Sequence, residues 1–192
     1  MGLRTDTRER MVASAAVLLS EQGVGATSVA KVLEHSNGPR GSVGFHFPGG
    51  WAELLADALT SVGDTVTEIL RRGLVASADP ADVFTGICRH YRERLAATGH
   101  TAGCPIGAAM QEAHHDSTLG PVVAGIVRDW QESLTDLLAH AGHARPEARQ
   151  LSMLAISSLE GAIMLARVTS STEPIDGVIE HIAPLLKARG NL

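Results

Sequence analysis

Between Ser36 and Trp51 the chain reads SNGPRGSVGFHFPGGW, with five glycines and three of the molecule's six aromatic residues. Two chemistries use a stretch of this kind. A glycine-rich loop can cradle nucleotide phosphates on bare backbone N–H groups, or a short helix between tight turns can carry hydrogen-bond donors to DNA. Spacing separates them. The pattern G-x-x-x-x-G-K-[ST] needs a Lys for the outer phosphates and a hydroxyl for magnesium. Gly44 and Gly49 have the glycine spacing, but Gly50 and Trp51 stand where those groups belong. The dinucleotide pattern G-x-G-x-x-G is nearly met from Gly23, yet Ser28 takes the last place and a helical segment, not a strand, precedes it. Nucleotide-dependent catalysis is not expected.

The DNA-reading alternative fits better. Val29, Val32, Val43 and Phe47 are spaced to face inward, which leaves Arg40, Ser42 and His46 toward solvent. Arg pairs with guanine, while a hydroxyl and an imidazole reach phosphate or a base edge. A tight turn over Ser36-Asn37-Gly38 joins two short helices, and Asn37 or Gly38 can take the left-handed conformation it needs. Gly41 and Gly44 remove side chains where the helix would approach DNA, at a cost on the order of 1 kcal/mol each. Phe45 and Phe47 read by default as core aromatics, and Trp51 as a packing residue at the next helix start.

Other clusters carry less. His114-His115-Asp116, with His90, His100 and Cys104 nearby in sequence, resembles a fragment of a metal site, but adjacent helical residues diverge by about a hundred degrees. Their position at a helix end is explained by the helix dipole, and no metal or cofactor is expected. Two cysteines, Cys88 and Cys104, read as buried thiols. No spacing compels a catalytic arrangement, so no enzyme is expected.

Nearly every segment that could position these groups has the helical period, giving an all-α chain of three short helices and then six. The first runs from about Thr5 to Gln22, with Met11, Ala15, Leu18 and Leu19 on one stripe and Gly23 as its stop. Thr27 and Ser28 offer an N-cap for a second over Val29–His35. Pro39 fits the first turn of a third that ends near His46, and Pro48-Gly49-Gly50 breaks the chain. Longer amphipathic helices begin at Trp51, Asp79-Pro80 and Leu119, Gly103-Cys104-Pro105 opens a short one ending near His114, and the last two cover about 147–168 and 175–188. The expected domains are 1–50, carrying the helix-turn-helix, and 51–192.

Charge agrees in a modest way. The chain carries a net −5, but residues 1–50 balance to +1 and the rest to −6. A near-neutral N-terminal part on an acidic body touches phosphate only through a few placed contacts. The longest apolar run, MVASAAVLLS, is about half a bilayer span and follows charged residues, so a cytoplasmic protein without membrane association is expected.

The stretches TRERMVASAAVLLSEQGVGATSVAKVLEHS and PRGSVGFHFPGGWAELLADAL resemble the N-terminal DNA-binding domain of the TetR family of repressors. GCPIGAAMQEA and SLEGAIMLAR resemble its LmrA/YxaF-type branch. The resemblance covers nearly the whole chain. It implies a homodimer on a pseudo-palindromic operator, released by a small inducer that is apolar and planar aromatic or drug-like, flavonoid-like included. By motif, Thr27 and Ser28 would cap the second helix and touch phosphate. Arg40, Gly41, Ser42 and Phe45 would face the DNA, and His46 its backbone. Similar sequences usually have an aromatic at Gly44, a Tyr at Phe45 and a Lys at Trp51. Losing that Lys alone would flatten the salt dependence of binding by about one unit of slope.

For the ligand, inward positions offer Phe84, Ile87, Tyr91, Met110, Val123, Val127, Trp130, Met153 and Met164, an apolar set with few polar fixtures. Periodicity alone does not separate a lined pocket from a filled core; the resemblance favours the pocket. For dimerisation, Ser157, Ser158, Gly161, Ala162 and Leu165 form a small-residue face on the penultimate helix. Ile175, Val178, Ile179, Ile182 and Leu186 add a face on the last, enough for a four-helix interface. Two other readings follow from the same residues: an enzyme built on the aromatic pocket, and a ligand-binding protein whose DNA-binding part has decayed at Gly44, Phe45 and Trp51.

Overall fold

The computed structural model describes residues 2–113 and 115–189. Among them are nine α-helices, one 3-10 turn and no strand: α1 Gly2–Gln22, α2 Val29–Ser36, α3 Ser42–His46, α4 Gly50–Val75, α5 Pro80–Ala97, α6 Pro105–Ala113, α7 Leu119–His140, α8 Arg145–Thr169 and α9 Glu173–His181, then the turn Ala183–Leu186. The all-α expectation holds. The chain forms two compact units, one of residues up to Gly63 with Pro105–Gly125, the other of Asp64–Cys104 with Ile126 onward.

The first unit is built on the stripe read from α1. Met11, Ala15 and Leu19 are fully buried, as are Val32, Phe47, Leu54 and Leu59. Gly23 stops α1 at a φ of 79°. Arg8 ties α1 to α4: its guanidinium lies 4.9 Å from the centre of the Phe47 ring and donates to Asp57 at 2.5 Å. α6 also belongs here, and the Glu112 carboxylate accepts from the Gly25 N–H at 3.1 Å. Asp116 caps α7 by accepting from Thr118 and Leu119 N–H groups, and those bonds hold its carboxyl below the usual carboxylate range. The metal fragment therefore has a different explanation at Asp116; His115 is exposed, and His114 lies outside the described residues.

In the second unit Asp79 caps α5 and Pro80 fills its first turn, leaving Phe84, Ile87, Cys88, Tyr91 and Leu95 inward as the spacing predicts. Burial pushes the Cys88 thiol up to about 12, so it packs as a neutral side chain. α8 is long and apolar enough by composition to cross a bilayer. Its apolar residues divide between two faces, one buried (Ala155, Leu159, Ala162, Ile163, Ala166) and one exposed (Met153, Leu154, Met164, Leu165, Val168). The last helix is shorter than its apolar pattern. α9 stops at His181 because Pro184 has no N–H to continue the ladder, and the chain tightens into the 3-10 turn.

Candidate nucleic-acid interface and ligand cavity

The N-terminal site grows from two turns. Ser28 is the N-cap of α2, its hydroxyl accepting from the Lys31 N–H at 3.4 Å. Thr27 shares no part of that cap: it is buried, and its hydroxyl donates to the Gly23 carbonyl at 2.7 Å. Asn37 closes α2 with a φ of 51°, so of the two residues offered for the left-handed turn it is Asn37 that adopts it. Gly38 is needed for room instead. A Cβ there would stand 3.0 Å from Leu33 and Ser36 and 3.1 Å from Met11.

The third helix starts later than Pro39. Gly41 is its N-cap with φ 83°, a conformation an L side chain resists, so Pro39, Arg40 and Gly41 form a turn and α3 proper holds only five residues. Arg40 is exposed on that turn, not on the helix. Ser42 is half-buried, and its hydroxyl donates to the Pro39 carbonyl at 2.6 Å, so toward a ligand it is an acceptor. Val43 and Phe47 face inward as spaced, while Val29 is half-buried. Phe45 departs from the core reading: it is 60% exposed and meets the half-buried His46 edge to face, ring centres 5.0 Å apart. Trp51 is half-buried. A five-residue helix thus presents Phe45 and His46 beside an exposed arginine, a surface able to meet a groove.

The two glycines here differ physically. Nothing lies within 4 Å of a Cβ built on Gly44, and its backbone is helical. Gly44→Ala is expected to raise stability by about 1 kcal/mol. Gly41→Ala is expected to lower it by roughly 1–2 kcal/mol through left-handed strain. Urea unfolding of both variants beside the native chain checks the opposite signs.

In the second unit, one apolar cavity is lined by Val66, Leu70, Phe84, Ile87, Tyr91, Trp130, Leu134, Ile156, Leu159 and Glu160. Four expected ligand residues line it: Phe84, Ile87, Tyr91 and Trp130. The others stand elsewhere. Met110 and Val123 belong to the first unit, because α6 and the start of α7 do. Val127 is half-buried off the cavity wall. Met153 and Met164, expected inward, are 42% and 47% exposed on the outer face of α8, whose apolar pattern is too wide for one side. The cavity volume is about 30 Å³, room for a few waters and less than a drug-sized ligand fills.

One residue of this wall went unnoticed in the sequence. Glu160 interrupts the apolar run LSMLAISSLEGAIMLA of α8, and a lone carboxylate in such a run is the signal that marks it. Its stem is partly exposed, but Oε2 is sealed off with no hydrogen-bond partner among the described residues. The Tyr91 hydroxyl donates to Cys104 Sγ at 3.4 Å, and the Cys104 thiol hydrogen-bonds the Glu160 carboxyl. Burial pushes Glu160 up to about 7 against the lowering effect of that thiol. Burial, then the neighbouring Cys104 and Glu160, hold the Tyr91 phenol well above its usual range.

Comparison with known proteins decides what carries these two sites. Residues 80–181 match the family model described as transcriptional regulator LmrA/YxaF-like, C-terminal domain. The chain is 36% identical over 187 residues to an HTH-type transcriptional regulator of Mycobacterium tuberculosis strain H37Rv, covering 94% of each. It belongs to the TetR family of transcriptional regulators, in the LmrA/YxaF-like branch. YxaF of Bacillus subtilis is 29% identical over 99% of this chain and 100% of its own. A TetR regulator from Chloroflexus aurantiacus has the same fold at a TM-score of 0.75, 27% identity and 96% coverage of both chains. Regulatory protein TetR from Rhodobacter sphaeroides, at 19% identity, matches at 0.81 over 93% and 97%. The chain is therefore a DNA-binding regulator and not an enzyme.

The expected dimer residues divide in the same unsentimental way as the ligand residues. Ser158, Gly161 and Ile182 are half-buried, and Leu165 is exposed. Ala162, Ile175 and Val178 are buried inside the protomer, where α9 packs against α5 and α8, so they are not free to meet a second copy.

Proposed function

We propose that this TetR-family regulator is a homodimeric repressor that binds a pseudo-palindromic operator and is released when a small apolar ligand enters the α5–α7–α8 cavity. Residues 1–50 carry DNA binding, and the chain from 51 onward carries ligand binding and dimerisation. The observation behind the reading is the exposed pair Arg40 and Phe45 beside the half-buried His46, held by a two-turn frame whose own hydrogen bonds are internal. Arg40 reads or neutralises, the phenyl of Phe45 packs on sugar or a base methyl, and Ser28 and His46 meet phosphate. Thr27 serves the loop behind them.

Dimerisation uses the outer face of α8. Met153, Ser157, Gly161, Met164 and Val168 recur at helical spacing, and nothing lies within 4 Å of a Cβ built on Gly161. Small residues among exposed apolar ones permit a close helix crossing by a second copy. Two linked recognition helices then span successive major grooves roughly 34–36 Å apart. The ligand acts by linkage, favouring a conformer in which that spacing fails. The chain supplies a route: Cys104, bonded to Tyr91 and Glu160, is followed directly by Pro105, the first residue of α6.

Recovery of bound DNA across the source genome, followed by titration of the recovered site, tests the reading. Arg40→Ala is expected to weaken operator binding by about 1–3 kcal/mol at fixed salt, with the fold unchanged by circular dichroism. An unaltered dissociation constant removes Arg40 from the interface.

A further inference from the structure

The cavity wall has an unusual composition for a site meant only for hydrocarbon. Phe84, Tyr91 and Trp130, three of the six aromatics, share it with one carboxyl group, and no Lys, Arg or His is among its lining residues. Glu160 Oε2 is buried without a hydrogen-bond partner among the described residues. A buried acceptor left unmatched costs free energy, and a ligand donor placed against it recovers that cost. We propose that the ligand of this site is an apolar amine, its protonated nitrogen held by Glu160 and its hydrocarbon body among Phe84, Tyr91 and Trp130.

The charge pattern favours a cation over a neutral donor. Aromatic faces attract an ammonium group, and the electron-rich rings of α5 and α7 line the same cavity as the carboxyl. The titratable groups facing Glu160 are the Tyr91 phenol and the Cys104 thiol; neither supplies a positive charge. Arg94 acts on Tyr91, and Arg167 lies against Gly103, 2.9 Å from a Cβ built there, so both cations stand outside the lining. Region 51–192 as a whole balances to −6, which also draws cations inward. This inference rests on the cavity being the ligand site.

The test uses three probes that share one ring system: 1-naphthylmethylamine, 1-naphthylmethanol and 1-methylnaphthalene, titrated calorimetrically into the full chain at pH 7.5. The amine is expected to bind about tenfold or more tighter than the alcohol and the hydrocarbon. Glu160→Gln is expected to bring the amine to within about twofold of the alcohol while leaving the hydrocarbon unchanged; Glu160→Asp, which keeps the charge, retains a preference for the amine. Amine binding to the native chain also releases protons, read from the heat in buffers of different ionisation enthalpy, and the Gln variant releases none. If the alcohol or hydrocarbon binds as well as the amine, or Glu160→Gln keeps the preference, the amine class is wrong and the ligand site stands. If none of the three binds, the cavity reading fails with it.

Discussion

Leu165→Glu is expected to turn the regulator into a monomer in solution and to weaken its operator binding by about a hundredfold or more. Leu165 is 57% exposed in the protomer, so a charge there leaves the chain's own core untouched. In the proposed interface on the outer face of α8, Leu165 stands one turn from Gly161, and one substitution brings a carboxylate from each copy to an apolar seam. Burying each unpaired charge costs several kcal/mol, more than a modest interface returns. The effect on DNA follows from linkage between half-sites. A monomer binds each half-site alone and loses the effective concentration that tethering supplies, typically a factor of about 10²–10⁴. Sedimentation equilibrium beside a mobility shift reads both consequences. A variant that remains dimeric with full operator affinity places the interface elsewhere.

How the sequence foretold these surfaces is uneven, for physical reasons. The α1 stripe, the Asp79-Pro80 start of α5 and its inward residues were legible because each follows from local rules: period, cap and ring. Gly41 was misjudged because a glycine two residues after Pro39 reads equally as a helical residue or as a left-handed cap; only φ decides. Phe45 looked like core because a large aromatic is by default inside, yet a five-residue helix has one inner side, and Val43 and Phe47 occupy it. α8 defeats single-face reasoning. With apolar residues on both sides, its pattern cannot assign Met153 and Met164 to one face and Ala162 to the other. α7 poses a related problem, since one continuous stripe serves two cores, Val123 in the first unit and Trp130 in the second.

Glu160→Gln is expected to stabilise the ligand-free regulator at pH 8 and to leave it nearly unchanged at pH 4.5. Glu160 titrates at about 7 in the folded chain against a usual 4.5, so folding favours its protonated form. Its contribution is fully present below pH 4.5 and is lost as pH rises through 7, because the unfolded carboxyl ionises first. That displacement corresponds to roughly 3 kcal/mol, reduced by whatever cost the glutamine amide itself meets in the same place. Urea unfolding at both pH values, at one protein concentration so that dimerisation is held constant, isolates the group in the difference between variant and native chain. A gap of equal size at both pH values would show that packing, not ionisation, sets it. The sign bears on function. A buried carboxyl with an orphan oxygen lowers the stability of the empty site at the pH where it is ionised, and a ligand cation that restores the missing interaction stabilises the occupied conformer by the corresponding amount. Since a ligand shifts an equilibrium only by its differential affinity for two states, a charge left unmatched in one of them and matched in the other supplies that difference directly.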